Sequence, residues 1–287
     1  MLLAGCQPDD PAAQWRKENP FLDNPRSNPD DILIVTCDYY PMEVPDNIDI
    51  TKSDFWSRYT LARETNLQPQ GVVSGFSSRQ IQLWQKNGLE TALIPLSELQ
   101  TIQAELQNKG GLHKKGTARK HLLRNPSQVA PCPGFWIGAA QSVFITDIEG
   151  ALRGYTLENN DCLFRLNCIP MGNMPLTDKM YIKIVPTFGH VKQPHTRVLE
   201  QYSPKQNSPV IFDQLLLSGT IHKGYVFCIV STNNLKNSGT LGNVFLRSKS
   251  SEPSERIFQL ALFIMPNWQT ASEMKSQTLK KGGRKKK

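Results

Sequence analysis

Residues 161–169 read Asp-Cys-Leu-Phe-Arg-Leu-Asn-Cys-Ile. Positions 162, 164, 166 and 168 are Cys, Phe, Leu and Cys, so one set of alternate residues is apolar or a thiol. Strand side chains alternate between faces, and this period predicts a strand with one buried face. Strand-like stretches recur on both sides, at 141–148, 180–186, 210–217, 225–231, 243–246 and 256–265. Turn residues separate them: Glu149-Gly150, Met171-Gly172-Asn173, Thr187-Phe188-Gly189, Ser218-Gly219, Asn233-Asn234 and Asn237-Ser238-Gly239. This punctuation predicts a β-rich body over residues 135–268, an antiparallel sandwich or barrel-like fold. No alternation of strand and helix runs through it, which argues against a doubly wound sheet.

Upstream the periodicity changes. Ile32 to Tyr40 is a β-branched and aromatic run closed by Pro41, which predicts a buried strand. Ser53 can cap a helix reaching Leu67, with Phe55, Trp56, Tyr59 and Ala62 nearly on one face. Ser77 or Ser78 can cap a second through Asn87, closed by Gly88. A third starts at Ser97, carries Leu99, Ile102 and Leu106 at helical spacing and ends at Gly110-Gly111. Residues 112–124 then read as a loop leading into a short helix. Asn125-Pro126 and Pro131-Cys132-Pro133-Gly134 break the chain. The class is therefore α+β. An extended, Pro-rich, acidic arm covers 1–31, a strand plus helical region 32–134, the β-rich domain 135–268, and a disordered basic tail 269–287.

The chain has 287 residues, 39% of them hydrophobic and 20% charged, enough apolar material to exclude wholesale disorder. No uninterrupted apolar stretch approaches the about 20 residues that a spanning helix needs. The net charge is +8, and its placement is uneven. Lys109, Lys114, Lys115, Arg119, Lys120 and Arg124 form one cluster, with His113 and His121 among them. Lys280, Lys281, Arg284, Lys285, Lys286 and Lys287 form another. Those two clusters hold twelve positive charges, so the remainder carries a net −4. No acid occurs between Glu105 and Asp147. Concentrated cations displace counterions from a phosphate backbone, which spread-out cations do poorly. Residues 109–124 are thus the expected phosphate-contacting stretch. The tail reads as a nuclear-import signal or a phosphate-binding arm.

The six cysteines show no disulfide framework, and Cys37 and Cys228 read as small core residues in strands. A reducing, intracellular location (nucleus or virion) is the expectation. Leu3-Ala4-Gly5-Cys6 resembles the lipobox of bacterial lipoproteins, without the charged segment and apolar stretch that the family places before it.

Catalytic signals are sparse. No Walker loop, Gly-x-Gly-x-x-Gly, His-Glu-x-x-His or Gly-x-Ser-x-Gly is present, and no catalytic residue, cofactor or metal is assigned. Cys162, Cys168, His190 and His195 are the best metal set, but their spacing departs from that of a zinc finger. A hydrolase on the β-rich body would have to draw on His190, His195 or His222. Asp147, Glu149, Glu158 and Asp161 flank turns and suit solubility.

Tyr59 to Leu67, followed by Phe76 to Leu89, resembles the helix-turn-helix of MerR-type regulators through Arg79, Trp84, Gly88 and Leu89. Residues 68–75 insert a segment where that family has a tight turn. The resemblance implies a sequence-specific regulator in which Ser78, Arg79 and Gln82 face DNA. Taken together, the chain is expected to be a non-enzymatic structural or assembly protein. In general look it is similar to viral coat, matrix or movement proteins. Its expected partners are nucleic-acid phosphates, an import receptor or anionic membrane surface, and further copies of itself.

Overall fold

A computed structural model describes residues 33–61, 75–113, 119–123, 130–171, 179–189, 209–232, 239–249 and 257–270. Residues 34–268 form one compact unit. A second unit gathers 1–33 and 269–287, of which only the strand-end residues 33, 269 and 270 are described.

The described chain is mostly antiparallel β-sheet with few helices, and none of its sheets closes into a barrel. The larger sheet is built from β2 (Leu89–Pro95), β12 (Tyr225–Ser231), β14 (Ile257–Thr270), β1 (Leu33–Pro45) and β3 (Leu112–His113), in that order. Two more strands join it: β4 (Arg119–Leu123) pairs with β1, and β13 (Arg247–Lys249) with β14. The smaller sheet holds β5 (Ala130–Ile137), β8 (Asn160–Met171) and β9 (Lys179–Phe188). The short β10 (Val210–Ile211) and β11 (Leu217–His222) both lie on the far side of β9. A hairpin of β6 (Gln141–Thr146) and β7 (Leu152–Leu157) stands apart as a two-stranded sheet.

Central strands of the larger sheet are buried on both faces. On one face Val226, Cys228, Val230, Ala261 and Phe263 pack against two helices, α1 (Asp54–Tyr59) and α3 (Leu96–Asn108). Phe55 and Trp56 come from α1, and Leu99, Ile102 and Leu106 from α3. The last three are the residues at helical spacing that place α3 by periodicity. Ser53 caps α1 as expected, its hydroxyl accepting from Trp56 N at 3.4 Å. The helix stops at Tyr59, because Thr60 bridges to Ala92 and Leu61 N donates to Thr91 O in β2. On the opposite face of the sheet, Cys37 reaches Cys132 and the Tyr39 hydroxyl donates to Pro133 O, both in β5 of the smaller sheet.

Two expectations about proline change. β1 was expected to end at Pro41 but continues to Pro45. Its partner on that side switches at this point: β4 pairs with 35–39 and β3 with 42–43. Pro41 therefore falls between the two ladders on that side, where its missing N–H interrupts neither. Pro131-Cys132-Pro133-Gly134 does not break the chain but forms β5, at the edge of its sheet. An edge strand leaves one row of N–H groups unpaired, so proline is tolerated there. The register shifts between Pro133 and Trp136, and a Cβ on Gly134 would lie 2.6 Å from Phe245 O.

Other boundaries move for packing reasons. Residues 243–246 lie in a helix, α4 (Leu241–Leu246), not a strand. All six of its residues are buried, so no period distinguished the two states. The stretch 210–217 is split by a 3-10 turn at Asp213–Leu215. Ser218-Gly219, expected as a turn, lies inside β11. Helix α2 (Ser78–Lys86) ends as expected at Asn87, and Gly88 takes φ +78°. Among the described residues no helix is long and apolar enough to cross a membrane.

Candidate nucleic-acid interface

The sequence-predicted cations are only partly placed. Lys109 follows α3 and its Nζ lies 2.7 Å from Glu105 Oε1, with both side chains exposed. Such a pair contributes about 0.3–0.5 kcal/mol, little enough to be exchanged for a phosphate contact. Arg119 and Lys120 open β4, in register with Tyr39 and Asp38. The expected short helix is thus a strand. Pairing to the edge of β1 satisfies a row of backbone groups, and that tertiary gain overrides local helix preference. Lys114, Lys115 and Arg124 lie outside the described residues, as do Lys280, Lys281, Arg284, Lys285, Lys286 and Lys287.

The structure brings together a different set of cations. In the smaller sheet, Cys132, Cys162, Phe164, Leu166, Cys168, Ile182, Ile184 and Leu217 are buried in the core. Register fixes the other face. Lys179 stands opposite His222, Tyr181 between Thr220 and Ile169, and Lys183 between Ser218 and Asn167. Arg165 stands between Val185 and Pro131. Lys179 and Lys183 are exposed, and Tyr181 and Arg165 half-buried. No carboxylate occupies any of these register positions. Lys183 Nζ sits 5.8 Å from the centroid of the Tyr181 ring. Arg165 Nε and Thr187 Oγ1 are buried without a hydrogen-bond partner. Thr187 pairs with Leu163, one step diagonal to Arg165 on this face. The sequence signal was available as Lys179, Tyr181 and Lys183 at a two-residue period. It became a surface only once the register added Arg165 from another strand.

The other candidates resolve differently. Cys162 and Cys168 lie on the core face as the alternation predicted. His190 and His195 lie outside the described residues, and no group of metal-ligating side chains occurs among the described ones. A hydrogen bond with Cys132, then burial, pushes the Cys37 thiol well up. Burial, then Cys132, raises Cys168, and burial, then Asp161, raises Cys162. These groups are thiols, not nucleophilic thiolates. On α2, Trp84 is buried and its Nε1 donates to Leu215 O at 2.6 Å, while Leu89 begins β2. Arg79 and Gln82 are exposed and Ser78 half-buried, and Arg79 donates weakly to Ile148 O at 3.5 Å.

Asp147 closes the β6–β7 turn. Its Oδ1 accepts from Glu149 N at 3.0 Å and Ala151 N at 2.9 Å, and its Oδ2 lies 3.2 Å from the Arg153 guanidinium. Burial pushes this carboxyl up, but the two backbone N–H groups and Arg153 outweigh it and hold the pKa below its ordinary value. Stability from this group is present above the ordinary aspartate pKa of about 3.9 and is lost as pH falls through the lower folded value. Asp147→Asn should therefore flatten the acid limb of the thermal midpoint against pH. An unchanged acid limb would remove this group from the account.

No family model matches the chain, and no curated protein matches it. Among solved structures it is similar to the InvG secretin domain β-barrel of the Salmonella SPI-1 injectisome NC-base. The identity is 11% and the TM-score 0.17, over 88% of this chain and 67% of that one. A likeness of that degree carries no argument about fold or function.

Proposed function

We propose that the protein is a non-enzymatic structural or assembly protein that holds nucleic acid through phosphate contacts on a sandwich-like β-rich body. The observation that carries this reading is the distribution of charge. Twelve cations stand in residues 109–124 and 280–287, and no acid occurs between Glu105 and Asp147. Because the remainder is net acidic, the attraction for a polyanion is local rather than a property of the whole surface. The same basic tail fits an address for the nucleus or an arm inside a virion, and self-association fits a coat or matrix role.

The test is size-exclusion chromatography with absorbance at two wavelengths, at low and high salt. Nucleic acid should co-elute at low salt and be released at high salt. Deleting residues 280–287 should lower the slope of log affinity against log salt by about 4 on single strands and about 5 on duplex. A protein that elutes free of nucleic acid and binds none when offered it would end this reading.

A further inference from the structure

We propose that the part of the smaller sheet's outer face around Lys179, Tyr181 and Lys183 is a binding surface for single-stranded nucleic acid. Arg165, Lys179 and Lys183 contact phosphates and Tyr181 stacks against a base; the proposal rests on the reading above. Three features carry it. The register places Arg165 on the row next to Lys183, and Lys179 one row beyond Tyr181, with no carboxylate among the paired positions. Lys179, Tyr181 and Lys183 then alternate along β9, so a cation stands about 7 Å on either side of the ring. A chain lying along this strand meets phosphate, base and phosphate contacts in turn.

The second feature is the guanidinium. Arg165 Nε is buried without a hydrogen-bond partner, and Thr187 Oγ1, on the same face, is in the same state. Thr187 is wholly buried and takes no part in the contact, whereas Arg165 is only half-buried, and phosphate oxygens are acceptors that suit a guanidinium. The third is the ring itself. Lys183 lies over Tyr181 but makes no ion pair among the described residues. A phosphate can draw that ammonium aside and leave the ring to a base. Every base presents a π face, so such contacts tolerate sequence.

Fluorescence anisotropy of the full chain supplies the test. The probes are a labelled oligothymidylate longer than an about 16-nucleotide OB-fold footprint and a duplex of equal length. Titrations run between about 50 and 200 mM salt. Lys179→Gln with Lys183→Gln should lower the single-strand salt slope by between one and two and weaken binding about tenfold at low salt. Both residues are exposed, so the thermal midpoint should hold. Tyr181→Ala should weaken single-strand binding about tenfold and leave duplex binding within about twofold. Arg165→Lys should keep most of the affinity that Arg165→Gln loses.

If the wild type binds and these variants bind equally well, the face is not the surface, and the clusters at 109–124 and 280–287 are responsible. Equal loss on duplex and single strand for Tyr181→Ala would overturn the stacking assignment. If the wild type binds neither probe, the proposed function itself falls.

Discussion

Gly242→Ala should leave little folded protein at ambient temperature. Gly242 lies in α4 where that helix crosses the end of α2. Its N–H donates to Asn87 O at 2.9 Å, and the neighbouring Gly88 carbonyl accepts from Thr232 N at 2.9 Å. A Cβ on Gly242 would stand inside van der Waals contact with Gly88 C and O, and 3.0 Å from Leu89 N. All three are backbone atoms of a buried crossing, so no side chain can swing aside. Relief requires moving α4, every residue of which is buried, or moving β2, which starts at Leu89. The expected loss is at least about 4 kcal/mol, in the exceptional class for a single substitution. That is most of a typical margin of about 5–15 kcal/mol. Gly224→Ala is the control. Gly224 also has a positive φ, +87°, but a Cβ there meets nothing within 4 Å, so only backbone strain of about 1 kcal/mol remains. Urea unfolding of both variants decides the matter, and equal losses would refute the crossing.

That crossing also marks where the sequence stopped being readable. Elements with a period were legible. The face made by residues 162, 164, 166 and 168 is in the core, and Leu99, Ile102 and Leu106 are the buried stripe of α3. Ser53 and Gly88 stand at their caps. Elements defined by distant partners were not. β2 was missed because it gains its place from β12, with Leu89 paired to Ser231 and Pro95 to Tyr225. Gly219 suggested a turn, yet it is where the Phe76 ring covers β11, leaving no room for a side chain. Buried apolar segments such as α4 carry no period, so helix and strand look alike. The candidate surface shows the same division. Two lysines and a tyrosine on β9 follow from alternation, whereas Arg165 joins them only through its pairing with Val185.

Asn87→Asp is expected to cost several kcal/mol near neutral pH and much less in acid. Asn87 is wholly buried at the C-terminal end of α2, and its amide is fully used. Nδ2 donates to Leu83 O at 2.8 Å and to Thr146 O at 2.9 Å, while Oδ1 accepts from Thr146 N at 2.8 Å. One side chain thus ties a helix end to the last residue of β6. A carboxylate keeps the acceptor and loses both donors, so two carbonyl oxygens face a negative charge. Each lost bond costs about 1–3 kcal/mol, and the effective penalty for burying the charge adds several more. Burial and those carbonyls favour the neutral acid, which places the folded pKa above the unfolded value of about 3.9. The penalty is therefore smallest below that value, where both states are protonated and the acid O–H can donate to one carbonyl. It grows as pH rises and levels off above the folded pKa. Asn87→Leu separates shape from charge, since it leaves the Thr146 N–H and the two carbonyls without their partner at every pH. Urea midpoints for the three proteins across the acid range should show a pH-dependent gap for the aspartate variant and a constant one for the leucine variant. A constant gap for both would mean that the introduced carboxyl reaches water, and that Asn87 does not clamp the helix to the hairpin.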